Sequence, residues 1–514
     1  MARIMEKNKI KNVSKNMILA VLSNVVALLL TFIVRKVFIL KLGSEFVGLN
    51  SLFINILGIL SFAELGIGVA VTSSLYKPLQ EGNIPLLKAY LGFYKKFMNG
   101  VAVFIEIAGA VVGFFIPMMI HGNSRFSVFE LWLYFFLYTS ASAASYVLTY
   151  KRVLLTADQS EYLNSINNLL FKVVIAVFQI IVLLIWNSYI LYLMIQIILT
   201  LVSNIVISRK INRLYGSIFD KGPVAKLKDN YLLNLKKDIT GMISAKIGGI
   251  ILTSTDNIII SAFLGLTILG KYANYTMIIT GLTLVLNQIF YSLTPTIGNY
   301  RFTSLKRSEN EELDVFNRIS IINYAIVILA STGAILFSAF FVKIWLGQKF
   351  ILPYSLVITL VLSFAINQYR QVVIIYMSAY GLFWQQRYKS LLEALMNIAL
   401  SIILITTTQL GIFAVLIGTI ATNLFFNLIW EFIIVKNHAI LLLNSKSYFI
   451  KYFGAFVILV VLVFSNTFLA IFYQKYFSDL MNFVLLCMSF ASEVLVSYFV
   501  VQNVFKINIF RRYN

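Results

Sequence analysis

Cysteine, histidine and proline are nearly absent: the 514 residues include one Cys, two His and six Pro. A single cysteine, Cys487, excludes a disulfide framework and a thiolate metal cluster. The histidines, His121 and His438, lie in separate connections, and no HExxH occurs, so no histidine metal site is expected. No GxxxxGK[ST] loop is present, which removes ATP hydrolysis by a phosphate loop. Charged residues are only 12% of the chain, about half the usual share of a soluble protein, ~25%. Acidic residues are scarcest: 20 Asp and Glu against 42 Lys and Arg, a net charge of +22. The positive charge is spread over short connections rather than one face, which argues against nucleic acid as a partner. Attraction to anionic inner-leaflet lipids explains it better.

What is abundant is apolar sequence, 60% of residues. A hydrocarbon core of ~30 Å takes ~20 apolar residues per helix. Fourteen spans are expected, near 17–40, 46–76, 97–119, 127–150, 161–186, 188–208, 239–262, 268–296, 319–345, 352–379, 388–408, 411–435, 450–473 and 478–503. The N-terminus, the even-numbered connections and the C-terminus hold 31 of the Lys and Arg residues, the odd-numbered connections eight. Positive residues stay cytoplasmic, so both termini are expected inside. The basic start, MARIMEKNKIKNVSKN, leads into an apolar run too long for a signal peptide, read as a retained first helix. The outer connections are short, so no catalytic domain, enzyme activity or cofactor is expected.

The chain reads as an all-α polytopic membrane protein with internal symmetry. A 222-residue shift places Asn12 on Asn234, Lys15 on Lys237, Thr31 on Thr253, Leu42-Gly43 on Leu264-Gly265 and Gly48 on Gly270. Nine of the 52 positions from 12 to 63 are identical under this shift. Six spans per repeat is an even number, so both halves insert the same way up. The expectation is an N-terminal six-helix bundle (1–208), a basic cytoplasmic linker (209–238), a second six-helix bundle (239–436) and a further helix pair (437–514). The bundles would be related by an axis along the membrane normal, with a substrate site between them.

Ionisable residues at membrane depth are costly and mark cavities or partners. Arg35, Lys172, Lys246 and Arg370 are candidates for the wall of a substrate cavity, with Asn24 and Asn287 as polar companions. Arg35 has a second reading, snorkelling to the outer interface. Lys246 and Asp256 are ten residues apart, close to three turns, so they project from one helix face ~15 Å apart. Asp256 is either an ion-coupling carboxylate or the ion-pair partner of Arg35. Glu393 and Glu431, near the inner ends of their spans, read as interfacial. Asn24, Asn50, Asn55, Asn274, Asn287 and Gln288 concentrate in the first two helices of each half.

The text becomes specific after the second span. Phe62–Asn83 reads FAELGIGVAVTSSLYKPLQEGN, Tyr90–Phe97 reads YLGFYKKF, and Lys36–Leu52 reads KVFILKLGSEFVGLNSL. Across about 65 residues this resembles the polysaccharide flippases (O-antigen, capsule or exopolysaccharide repeat unit) of the multidrug/oligosaccharidyl-lipid/polysaccharide exporter superfamily. The resemblance implies export of an undecaprenyl-diphosphate-linked oligosaccharide across a bacterial plasma membrane by alternating access. It implies a setting among glycosyltransferases and a polysaccharide polymerase. Three readings compete. A lipid II flippase of the superfamily would also need a basic cleft. A multidrug or metabolite exporter handling cations would prefer acidic cavity residues, whereas the membrane-depth charges here are three basic to one well-placed acid. A non-transporting scaffold of a synthesis complex would need no charge at mid-membrane depth.

Overall fold

In a computed structural model of the chain, the described residues are 23, 25–61, 67–122, 125–219, 227, 254–294, 297–298, 309–382, 385–386 and 388–503. All regular structure among them is helical, and ten helical segments are long and apolar enough to cross a bilayer. Each of the fourteen expected spans contains described helix. The protein is a multi-pass, all-α membrane protein.

The chain divides into two compact units, Met1–Gly270 and Lys271–Asn514. The first holds α1 (25–42), α2 (Ser44–Leu60), α3 (Ile67–Gln80), α4 (Ile84–Gly113), α5 (Val128–Tyr146), α6 (Arg152–Ala157), α7 (Tyr162–Trp186), α8 (Tyr189–Leu214), α9 (Gly216–Phe219) and α10 (254–264). Their ends carry the expected chemistry. Asn83 caps α4 by accepting from the Leu86 amide, and a Ser127/Glu130 capping box starts α5. Helix α4 shows the inside-out pattern of a membrane bundle. Met98, Val101, Ile105 and Gly109 are buried on one face, while Val103, Phe104, Ile107 and Val111 are exposed on the other.

The boundary at Gly270 puts α10 and the first turn of the next helix, α11 (Leu266–Tyr291), in the first unit, where the sequence reading gave them to the second bundle. The cause is a close crossing with α2. A Cβ on Gly48 would stand 2.0 Å from the Leu266 carbonyl oxygen, and one on Gly270 would stand 2.1 Å from that of Ser44. Only glycine allows that approach. Under the 222-residue shift Gly48 is the equivalent of Gly270, and Ser44 of Leu266, so the contact is reciprocal. Gly43 and Gly265, also equivalents, both take positive φ, 92° and 87°, ahead of these helices. Gly48→Ala or Gly270→Ala should therefore lower stability by about 1–3 kcal/mol through overpacking. Gly100→Ala, whose methyl would meet nothing within 4 Å, should not. Indistinguishable thermal melts for the three variants would disprove the close crossing.

The second unit is organised around α12 (Glu309–Leu346), 38 residues long. Against it pack α13 (Tyr354–Tyr369) and the last pair, α18 (Ser445–Tyr476) and α19 (Asp479–Asn503). The stacked rings of Phe340 and Phe483, 5.3 Å apart, sit in that contact. The remaining helices are α14 (Gln371–Ala379), α15 (Lys389–Thr407), α16 (Ile412–Ala421) and α17 (Leu428–His438).

Several expected spans are interrupted. The fourth breaks after Tyr146, where Leu148 adopts φ 63° and a 3₁₀ turn, Thr149–Lys151, follows. The tenth breaks at Arg370, between α13 and α14. The twelfth contains a π-helical segment, Thr422–Asn427, between α16 and α17. Such segments mark places where side-chain requirements override regular winding.

Candidate functional site: a cationic cavity in the first unit

A cavity of about 380 Å³ opens among α1, α2, α7 and α8. Sites for small molecules usually measure ~300–1,000 Å³. Among the described residues its wall carries two cations, Arg35 from α1 and Lys172 from α7, and no acidic residue. Neither cation makes a hydrogen bond or ion pair with any described residue. Both sit within strongly apolar helices, with Arg35 half-buried and Lys172 exposed to the cavity.

Polar neutral groups complete the wall. Gln179 of α7 and Gln196 of α8 face each other, with Gln179 Nε2 donating to Gln196 Oε1 at 3.4 Å. Asn50 of α2 accepts a hydrogen bond from the Tyr189 hydroxyl at 3.2 Å. Phe38 lies edge-on to Tyr192 at 5.2 Å and to Tyr189 at 5.8 Å. These contacts hold α1 against α8 and fix an aromatic edge beside Arg35. The arrangement offers two positive charges, several amides and hydroxyls, and aromatic faces. That combination suits an anion carrying many hydroxyls.

The other sequence candidates fall elsewhere. Asn24 and Lys246 lie outside the described residues. Asp256 is on α10, and among the described residues no ion pair joins it to Arg35. Asn287 of α11 accepts from Gln371 Nε2 at 2.6 Å in the second unit. Arg370, expected on a cavity wall, instead lies in a buried cluster. Its Nε and Nη2 bond both oxygens of Glu431 at 2.9 and 2.6 Å, and it also donates to Asn423. Lys389 Nζ lies 2.5 Å from Glu431 and 3.2 Å from Glu393. Asn427 Nδ2 donates to Glu393 at 2.5 Å. All four charged residues are 6% exposed or less. Glu393 and Glu431 are thus core groups, not interfacial ones, because each supplies the counter-charge that a buried Arg and Lys require. Glu106 accepts from Ser140, and Glu493 from Asn466, each across a neighbouring helix pair.

Sequence reasoning missed Gln179, Gln196 and Tyr192. The signal available was two glutamines inside long apolar runs, each a poor choice for a lipid-facing position.

The sequence match accords with this geometry. Residues 13–301 match the family model described as "Polysaccharide biosynthesis protein". The chain belongs to that family. No match emerges among curated proteins. Solved structures show the fold. An inward-facing multidrug resistance MATE family transporter of the MOP superfamily aligns with TM-score 0.61 and 13% identity, over 79% of this chain and 94% of that one. The lipid II flippase MurJ, in an inward closed conformation, aligns with TM-score 0.61 and 12% identity, over 96% and 99%. A Vibrio cholerae MATE transporter aligns with TM-score 0.56 and 13% identity, over 84% and 99%. The chain therefore has the MOP-superfamily fold.

Proposed function

We propose that the protein is a flippase moving an undecaprenyl-diphosphate-linked oligosaccharide across the bacterial plasma membrane for cell-surface polysaccharide synthesis. The observation that carries the reading is a cavity whose described wall holds two cations, Arg35 and Lys172, with no acid and no partner for either among the described residues. The polysaccharide biosynthesis family supports the same reading. The physical problem is a diphosphate and several sugars that must pass a hydrocarbon layer, where each unsatisfied polar group costs several kcal/mol. The two cations replace water around the diphosphate through charge-assisted hydrogen bonds. Gln179, Gln196, Asn50 and Thr200 exchange bonds with sugar hydroxyls, while the polyprenyl chain stays in lipid. Both termini face the cytoplasm in this reading, from the charge alternation. Glycosyltransferases making the repeat unit and a polymerase consuming it are its functional neighbours. The absence of acid from the cavity disfavours a pump for cationic drugs.

The test is reconstitution. Proteoliposomes holding the protein should move a labelled undecaprenyl-diphosphate oligosaccharide to the opposite leaflet, measured by access of an added lectin. Protein-free vesicles should not. Equal lectin access in both would sink the reading.

A further inference from the structure

The two units contain the same clamp with different charge. In each, a cation follows a tyrosine (Tyr150-Lys151 and Tyr369-Arg370) at the break in a spanning helix. Arg370 reaches Glu431, 61 residues on, and Asn423, 53 residues on. Lys151 Nζ donates to Asn212 Oδ1, also 61 residues on, at 2.8 Å, and to Ser208 Oγ at 2.8 Å. The position 53 residues after Lys151 is Asn204, and the adjoining Arg152 donates to it at 2.9 Å. Glu431 of the second unit is thus matched by Asn212 in the first. By the same spacing Glu393 is matched by Val174 and Lys389 by Leu170. Among the described residues the second unit's clamp is charge-balanced and the first unit's is not.

No carboxylate is within ion-pair distance of Lys151 or Arg152 among the described residues. The acids nearest along the chain are engaged otherwise. Asp158 accepts from the Tyr215 hydroxyl at 2.6 Å. Glu161 accepts from Thr156 at 2.6 Å and from Asn164 at 2.9 Å. Lys151 is nevertheless only 7% exposed. A second ammonium gathers there: Lys95 and Lys151 lie 5.8 and 5.7 Å from the centroid of the same Tyr150 ring. Arg152 extends the cluster, donating to Asn168 at 2.8 Å. Glu161 offsets Arg152 from beyond ion-pair distance, whereas Lys95 and the buried Lys151 have no anionic partner among the described residues and repel each other unless an anion joins them.

We propose that Lys95, Lys151 and Arg152 form a seat for a phosphate-bearing anion, distinct from the Arg35/Lys172 cavity, at the end of the first unit where the 209–238 connection leaves α8. Two sources share that chemistry, the diphosphate of a polyprenyl carrier and an anionic phospholipid headgroup. The seat stands apart from the transport reading, since it is judged on binding and not on flipping.

The experiment first blanks the cavity with Arg35→Gln and Lys172→Gln, then titrates inorganic pyrophosphate into the purified protein by calorimetry. Binding should persist in that background. Adding Asn212→Glu, which copies the second unit's counter-charge, should weaken it at least tenfold, whereas Asn212→Gln should leave it nearly unchanged. The Glu variant should also melt about 2–4 °C higher, as a matched buried charge would. Nanodiscs of phosphatidylcholine doped with phosphatidylglycerol or with undecaprenyl diphosphate then identify the source, and selective binding of either upholds the seat. Equal pyrophosphate affinity with Glu and Asn at 212 overturns the proposal. So does failure of the cavity-blanked protein to bind any of the three probes.

Discussion

Glu431→Gln should destabilise the protein by on the order of 3–5 kcal/mol, the usual cost of breaking a buried ion pair from one side. Glu431 receives two bonds from Arg370 and one contact from Lys389, and it is 1% exposed. The amide cannot balance either cation, and Glu393 alone is left facing both. The expected readout is a large drop in thermal midpoint in detergent and a matching fall in the amount recovered from membranes. Arg370→Gln should behave alike, because it leaves two carboxylates sharing Lys389. Replacing all four charged groups together with apolar residues of similar volume should recover much of the loss, since nothing is then buried unpaired. A Glu431→Gln protein with wild-type melting would show that the cluster carries little stability.

The second large effect is opposite in kind. Lys172→Gln, and more so the Arg35→Gln/Lys172→Gln pair, should cut export at least tenfold while leaving membrane levels near wild type. Neither side chain has a partner among the described residues, so its loss orphans nothing within the fold. Each charge-assisted hydrogen bond to the cargo is worth ~1.5–3 kcal/mol, and 1.4 kcal/mol is a factor of ten. Lys172→Arg should retain part of the activity, because the charge remains but the donor geometry changes. Surface polysaccharide at wild-type amounts in the double variant would remove these cations from the transport path. Thus Arg35 and Lys172 variants should fail in function with the fold intact, and Arg370 variants should fail in folding.

The contrast shows how far a membrane sequence can be read. Arg370 and Lys172 look alike in one dimension, each a single cation deep in an apolar run. What separates them is the helix across from each. Arg370 meets Glu431, and Lys172 meets none of the acids among the described residues. Sequence spacing along one helix carries no information on which residue of a distant helix stands opposite. For the same reason Glu393 and Glu431 looked interfacial, being near span ends, although both are sequestered by cations.

Some matters were decided by the chain itself. Hydrophobic length set the helical class and the position of the spans, because a bilayer leaves no other way to satisfy the backbone over ~20 apolar residues. The recurrence of Leu-Gly and a Gly five residues later marked Gly43, Gly48, Gly265 and Gly270, and glycine was needed there because no side chain fits between Gly48 and Leu266. Other matters were settled only in three dimensions. The breaks at Leu148 and Arg370, the π-helical turn at Thr422–Asn427 and the inclusion of α10 in the first unit depend on contacts between segments far apart in the chain. So do the meeting of Arg35 with Lys172 and the balance of charge around Arg370 but not Lys151. Local hydropathy records how much a residue costs to bury, and only packing decides what it is buried against.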